Sequence, residues 1–367
     1  MSRKYIISGG GTGGHIFPAL SIADRIRKRD PEADILFVGA KGRMEMEKVP
    51  AAGYKIVGLP VEGLNRKSLF RNIIVLARLV LSLFSALRII YRFRPDAVVG
   101  VGGYASGPLL RIAALRKIPF LIQEQNSYAG VTNRLLAKKA SKICVAYSNM
   151  EKYFPVEKIV LTGNPVREEI FNNAISTKDA LDFFGLQPEK PILLILGGSL
   201  GARTINNSLW ARIDLIENAP IQVLWQTGRL YFDQVAALMK QRPENNIRYF
   251  DFIARMDMAY AAADIIISRA GAATISELCL LGKPVILVPS PNVAEDHQTK
   301  NAMALVNNEA AIMVTDNDAP EMLVKKALEL FNNRPLMSEL GANCKKMALH
   351  GSAEKIVDEL FKLVKND

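Results

Sequence analysis

Ile7-Ser8-Gly9-Gly10-Gly11-Thr12-Gly13-Gly14-His15 and Ile195-Leu196-Gly197-Gly198-Ser199-Leu200-Gly201-Ala202-Arg203 are built alike. Each starts as an apolar strand, turns through glycines and enters a helical pattern. Five of the six positions from 9 to 14 are glycine. Such a turn brings backbone N–H groups close to a ligand, and the helix that follows adds partial positive charge at its start. This geometry suits a phosphate. Pro18 is tolerated in the first helical turn. No Gly-Lys-Ser/Thr follows, which excludes a Walker loop. A third turn, Val101-Gly102-Gly103-Tyr104-Ala105-Ser106-Gly107-Pro108, also follows a strand.

Outward from these turns, short apolar runs alternate with helical periodicity. The expected strands are 5–8, 35–38, 55–58, 97–101, 120–123, 143–145 and 159–162, then 192–196, 222–225, 248–250, 265–268, 285–288 and 311–314. Near-continuous apolar strands between helices mean parallel sheets covered on both faces. The fold class is therefore α/β, with two Rossmann-like doubly wound domains. A length of 367 residues agrees with about two domains. The turn-forming Gly163-Asn164-Pro165 sets the expected break, giving domains 1–163 and 164–350. Residues 351–367 read as an amphipathic helix that closes the second domain or crosses back onto the first. Ligands are expected at the carboxyl ends of both sheets, in a cleft between the domains. The dinucleotide fingerprint is poorly matched, since no acid stands at the ribose distance in the first half, and this lowers the dehydrogenase reading.

Charge is unevenly placed. Residues 1–163 hold 26 Lys+Arg and 11 Asp+Glu, a balance of +15; the remainder holds 21 and 25, a balance of −4. The basic half suits an anionic partner (nucleic acid, membrane or a phosphorylated substrate) or is simply a solvated surface. Neither a groove-reading helix nor stacked aromatics appear, so no nucleic acid is expected. Cys144, Cys279 and Cys344 are scattered and show no zinc spacing, and they read as buried free thiols in a reducing compartment. Met1-Ser2-Arg3-Lys4 runs straight into the first strand, so no signal peptide is expected.

Ser268-Arg269-Ala270-Gly271-Ala272-Ala273-Thr274-Ile275-Ser276-Glu277 lies between a strand and an apolar helix. Thr274 and nearby amides can take phosphate oxygens at that helix start. Glu277, one turn on, can accept two ribose hydroxyls or merely complement the helix dipole. Asp296-His297-Gln298-Thr299-Lys300-Asn301 offers groups suited to sugar hydroxyls or to an ordinary helix start. Residues 63–95 contain no acid but hold Arg66, Lys67, Arg71, Arg78, Arg88, Arg92 and Arg94. Arg71, Arg78, Ser82, Ser85 and Arg92 share one narrow helical arc, and the rest of that helix is largely apolar. Arg78 and Arg88 argue against a membrane span. The segment reads as a buried crossover helix whose start, with the preceding loop, touches an anionic membrane surface.

Together these motifs, with Glu124-Gln125-Asn126 and Gly163-Asn164-Pro165-Val166-Arg167, resemble the MurG family of peptidoglycan N-acetylglucosaminyltransferases, in order and spacing over nearly the whole chain. The resemblance implies a GT-B glycosyltransferase fold that needs no cofactor and acts in cell-wall biogenesis. The partners it implies are UDP-N-acetylglucosamine and undecaprenyl-pyrophosphoryl-muramyl-pentapeptide, at the cytoplasmic face of the bacterial inner membrane. It implies donor contacts from Thr12, Gly13, Gly14, Asn126, Arg167, Ser199, Ile253, Ala272, Ala273, Thr274, Ile275, Ser276, Glu277 and Gln298, with the Ile253 backbone at the uracil edge. Gly11, Gly103 and Tyr104 would face the acceptor. Leu200 and Gln123 depart from the family's frequent glutamine and histidine. Inverting transfer needs a base, for which His15 is the candidate and Glu124 the rival; an orienting or phosphate-binding role for His15 stays open. The only Asp-x-Asp pair is Asp316-Asn317-Asp318, just before a helix, so capping is expected there and no metal.

Overall fold

The computed structural model describes residues 2–63, 69–166, 175–198, 200–242 and 246–364, excepting the side chains of 69–72 and 294. The chain forms two compact units, Met1–Val166 with Leu349–Asp367, and Arg167–Ala348. The first unit extends past Gly163 because its neighbours hold it there. The Gly163 N–H donates to the Val145 carbonyl at 3.1 Å, Gln123 Nε2 donates to Asn164 Oδ1 at 3.0 Å, and Asn164 Nδ2 to the Gln125 carbonyl at 3.0 Å.

In the first unit the strands are β1 (Lys4–Ser8), β2 (Asp34–Ala40), β3 (Lys55–Leu59), β4 (Ala97–Gly100), β5 (Phe120–Glu124), β6 (Lys142–Val145) and β7 (Ile159–Leu161). They form one parallel sheet in the order β3-β2-β1-β4-β5-β6-β7. Ile6 pairs with Leu36 on one side and Val98 on the other. Strand order reverses at β1, so the β1–β4 crevice is a topological switch point, where open α/β sheets bind ligands. Side chains alternate across the sheet: Ile6, Val98 and Ile122 join one core, and Tyr5, Ile7, Val99 and Leu121 the other. The last helix, Ser352–Leu363, returns to this second core and buries Ile356, Val357 and Leu360 in it. Each such side chain contributes about 1.5–3 kcal/mol. Ion pairs of Arg25 and Arg29 with Glu354 line its edge.

The helix Leu69–Phe93 crosses over between β3 and β4. Val75, Ser82, Ala86 and Ile90 are buried, yet Ile73 is 65% exposed, Phe84 66% and Tyr91 69%, with Ile74, Leu76, Val80 and Leu81 also outward. The buried stripe is thus mostly apolar with Ser82 in its midst, Arg78 and Arg92 stay accessible, and a further broad apolar arc faces out, unlike an ordinary surface helix. Arg78 pairs with Glu62. Ile73–Phe93 has the length and apolar composition of a membrane-crossing helix, a test that a core helix also passes. Packing nonetheless ties the helix to β3 and to the helix Ser106–Leu115.

In the second unit the strands are β8 (Ile192–Leu196), β9 (Gln222–Gln226), β10 (Ile247–Phe250), β11 (Ile265–Ser268), β12 (Val285–Leu287) and β13 (Ile312–Met313). Their parallel order is β10-β9-β8-β11-β12-β13, which puts a second switch point between β8 and β11. Trp225 is fully buried, its indole N–H held by Asn206 Oδ1 at 3.0 Å. Cys144, Cys279 and Cys344 are all buried.

Candidate functional site

In the first unit three loops meet at the carboxyl ends of β1, β4 and β5. The first glycine turn leads into the helix Gly13–Arg29, whose N-cap is Thr12 in extended backbone. The third turn packs directly on it. Gly103 has φ +83, and a Cβ there would overlap the Gly10 carbonyl, so only glycine fits. Ser106 Oγ lies 2.8 Å from both the Ser8 and the Gly102 carbonyls, which share its one proton, and Gln125 Nε2 donates to the Val101 carbonyl at 2.7 Å. His15 stands within this cluster. Its Nδ1 lies 3.1 Å from Thr12 Oγ1, and its Nε2 edge lies 2.9 Å from where a Gly102 Cβ would be. Gly11, Thr12, Gly14 and Tyr104 are exposed.

Glu124 ends β5 and is buried. Its Oε1 accepts from the Asn126 N–H at 3.1 Å and the Asn126 side chain at 3.3 Å. Its Oε2 accepts from the Gly130 N–H at 3.0 Å and Asn133 Nδ2 at 2.8 Å. Burial pushes its carboxyl above the ordinary carboxylate range, against the opposing pull of those four donors. With both oxygens occupied, this carboxylate shapes the 124–130 loop, and a substrate proton finds no ready acceptor on it.

In the second unit the loops after β8 and β9 interlock. The Gly197 N–H donates to the Gln226 carbonyl at 3.1 Å. Gly228 has φ +80, and a Cβ there would overlap the Gly201 backbone. Gly228→Ala is therefore expected to destabilise the protein by about 1–3 kcal/mol, read as a lower thermal midpoint. An unchanged midpoint would show that the loops are loosely packed. Gly197, Arg203, Thr204, Tyr231, Gln298 and Asp316 are among the residues lining a cavity of about 490 Å³. Gln298 Oε1 accepts from the Ser290 N–H at 2.8 Å. Arg269 donates to the Val288 and Pro289 carbonyls at 3.1 Å and pairs with Asp316, which also accepts from Thr204 Oγ1 at 2.7 Å.

The helix Ala272–Leu281 starts at Gly271, after β11. Its first-turn amides point out of the helix start; the Ile275 N–H already donates to the Gly271 carbonyl at 2.9 Å, and its side chain is buried. Ser276 Oγ donates to the Ala272 carbonyl at 3.0 Å. Ala273 and Thr274 are half-buried at the helix start. The Glu277 carboxylate is held by Tyr260 Oη, which donates to Oε2 at 3.0 Å. Ile253 is buried and its N–H donates to Gln226 Oε1 at 2.9 Å, so a nucleobase meeting this backbone finds its donor already engaged. Neither Thr274 nor Glu277 is among the described residues lining the 490 Å³ cavity. Arg167 and Ser199 lie outside the described residues. In place of the cap expected from Asp316-Asn317-Asp318, Asp316 pairs with Arg269, while Asp318 stands at the N-cap position of Ala319–Phe331 and accepts from Thr315 Oγ1 at 2.6 Å. Glu45, Gln226, Tyr260 and the pairing of Arg269 carry no mark in the sequence. Each acts through a partner distant in sequence, and no local pattern marks it.

Residues 5–145 match the glycosyltransferase family 28 N-terminal domain, and residues 192–356 match the family's C-terminal domain. A Parabacteroides distasonis protein is 59% identical over 364 residues, covering 99% of each chain. Its name is UDP-N-acetylglucosamine–N-acetylmuramyl-(pentapeptide) pyrophosphoryl-undecaprenol N-acetylglucosamine transferase. A Bacteroides fragilis protein of the same name is 58% identical, covering 98% of this chain and 95% of its own. Among solved structures, MurG of Acinetobacter baumannii is similar with a TM-score of 0.79 at 30% identity, covering 98% of this chain and 99% of its own. A UDP-GlcNAc 2-epimerase of Neisseria meningitidis, 15% identical with a TM-score of 0.68 over 99% of this chain and all of its own, shares the fold.

Proposed function

The chain belongs to glycosyltransferase family 28, and on that premise we propose that its two GT-B units carry an inverting sugar transfer. The enzyme moves N-acetylglucosamine from UDP-N-acetylglucosamine to the C-4 hydroxyl of lipid-linked N-acetylmuramyl-pentapeptide. The acceptor oxygen forms a bond to the anomeric carbon as the bond to UDP breaks, so an α-linked donor gives a β-linked product. The observation that carries the reading is the pair of glycine turns, one at each sheet's switch point. In the first unit His15 takes the hydroxyl proton, with Gly11, Gly103 and Tyr104 toward the acceptor. In the second unit Thr274 and its helix start take the diphosphate with Ser199 and Arg167, Glu277 takes the ribose, the Ile253 backbone carbonyl the uracil N–H, and Gln298 the sugar. The engagement of Asp316 by Arg269 and of Asp318 by Thr315 supports charge neutralisation by amides and side chains, without an Asp-x-Asp metal. The test is transfer of radiolabel to a soluble lipid-linked muramyl-pentapeptide analogue. Label is expected to move from UDP-N-acetylglucosamine and far more slowly from UDP-glucose; no transfer from the former would sink the reading.

The exposed apolar face of the first unit supports a seat on the membrane, at its cytoplasmic side where nucleotide sugars are made. The helices Leu69–Phe93, Ser106–Leu115 and Val131–Leu136 pack in sequence. Together they expose Ile73, Leu76, Leu81, Phe84, Leu115 and Leu135. An outward set of this kind marks an interaction surface. Arg88, Arg92, Arg94, Arg111, Arg116, Lys117, Lys138 and Lys139 are exposed on these helices or just past their ends, and each adds about 1 kcal/mol beside anionic lipid. Arg66 and Lys67 lie outside the described residues, as does the side chain of Arg71. Leu81→Glu with Phe84→Glu is expected to weaken sedimentation with anionic vesicles by more than about tenfold, since each apolar side chain contributes about 1.5–3 kcal/mol when buried. Turnover of a soluble acceptor should persist. Undiminished vesicle binding would remove this face from the membrane seat.

A further inference from the structure

Glu45 is a buried carboxylate for which the chemistry above has no use. It opens the helix Glu45–Ala51, after β2. Its Oε2 accepts from the Gly11 N–H at 2.9 Å, and its Oε1 from the Ala40 N–H at 2.8 Å. A carboxylate inside a protein is costly unless hydrogen-bonded, and here both bonds come from backbone amides, one at the last residue of β2 and one in the turn after β1. The side chain also fills the space beside two glycines. A Cβ on Gly39 would lie 2.5 Å from Glu45 Cγ, and one on Gly10 would overlap the carboxylate itself. On its other side, Gly10 meets Gly103 of the third turn. The first glycine turn is thus clamped at Gly10 between Glu45 and Gly103 and tied at Gly11 to Glu45, one residue before Thr12 and four before His15.

We propose that Glu45 is a positioning residue for acceptor recognition: by holding the Gly11 amide it fixes the first glycine turn, so that Thr12 and His15 meet the reacting hydroxyl in one geometry. This rests on the acceptor reading of the first unit. The same bond withdraws the Gly11 N–H from any bound anion and leaves that task to the Gly13 and Gly14 amides at the helix start. A negative charge behind an anion-binding turn is electrostatically adverse, so charge alone would make its removal tighten acceptor binding. Positioning demands the opposite sign.

Two variants separate these effects. Glu45→Gln keeps the volume but offers one acceptor oxygen to two amides. Gly39→Ala keeps the charge and displaces the side chain from beneath. The measurements are kcat, KM for the lipid-linked acceptor analogue, UDP-N-acetylglucosamine Kd by calorimetry, and the thermal midpoint of each full-length variant. Both variants are expected to lose at least tenfold in kcat/KM for the acceptor while donor Kd stays within twofold and unfolding stays cooperative. The proposal is overturned by acceptor kcat/KM within twofold of the parent, by tighter acceptor binding in Glu45→Gln, or by parallel loss of donor and acceptor binding. A parent enzyme that transfers no N-acetylglucosamine would instead overturn the functional reading on which the proposal rests.

Discussion

His15→Ala is expected to lower kcat by about 10²- to 10⁴-fold with both substrates saturating, the range that general-base removal costs. The imidazole sits in the first turn of the helix Gly13–Arg29, where the glycine turns after β1 and β4 meet. Thr12 Oγ1 at 3.1 Å from Nδ1 fixes the ring. If Nδ1 carries the proton toward Thr12, Nε2 is the basic nitrogen, and which tautomer is held decides whether the ring can accept a proton at all. Glu124 is the poorer base, because its two oxygens already accept four hydrogen bonds. Single-turnover rates with preloaded donor separate proton abstraction from binding. A His15→Ala enzyme whose rate stays within threefold of the parent would restrict His15 to orienting the loop.

Glu277→Ala is expected to raise donor KM by about 10- to 100-fold with a smaller change in kcat. Hydrogen bonds to a charged group contribute about 1.5–3 kcal/mol each, and a group that binds ground state and transition state alike acts mainly on KM. Glu277 is pre-oriented by Tyr260, which is itself buried, so the loss of the carboxylate also removes an acceptor from that hydroxyl. The discriminating measurement is a cycle with 2′-deoxy-UDP-N-acetylglucosamine. The parent should penalise the missing hydroxyl, and Glu277→Ala should not. Equal penalties in both enzymes would move ribose recognition elsewhere.

The architecture was legible because its signals are local. Apolar runs such as Ile192–Leu196 mark central strands, and the glycines at 9–14 and 197–201 mark where each chain turns from strand to helix. The supports of the site were not legible. Glu45 meets Gly11 across 34 residues, Gln226 meets Ile253 across 27, and Tyr260 meets Glu277 across 17. A linear pattern records what a side chain is, and the partner is fixed only once the sheets form. The helix Leu69–Phe93 misled for a different reason. Its apolar residues cover most of its circumference, so periodicity does not say which of them face the sheet, and here Val75, Ala86 and Ile90 go inward with Ser82 while Phe84 goes outward.

The return of Ser352–Leu363 to the first core bears on how the chain is made. On the ribosome the first 166 residues emerge early, but the core around Tyr5 and Ile7 still lacks Ile356, Val357 and Leu360. The lobe begun first is the last to be completed, and the intervening lobe, a continuous segment, can fold while its predecessor waits. Ribosome-stalled nascent chains ending before Ser352 should therefore hold an unfinished, protease-sensitive first lobe, to be sealed by the final few turns of helix.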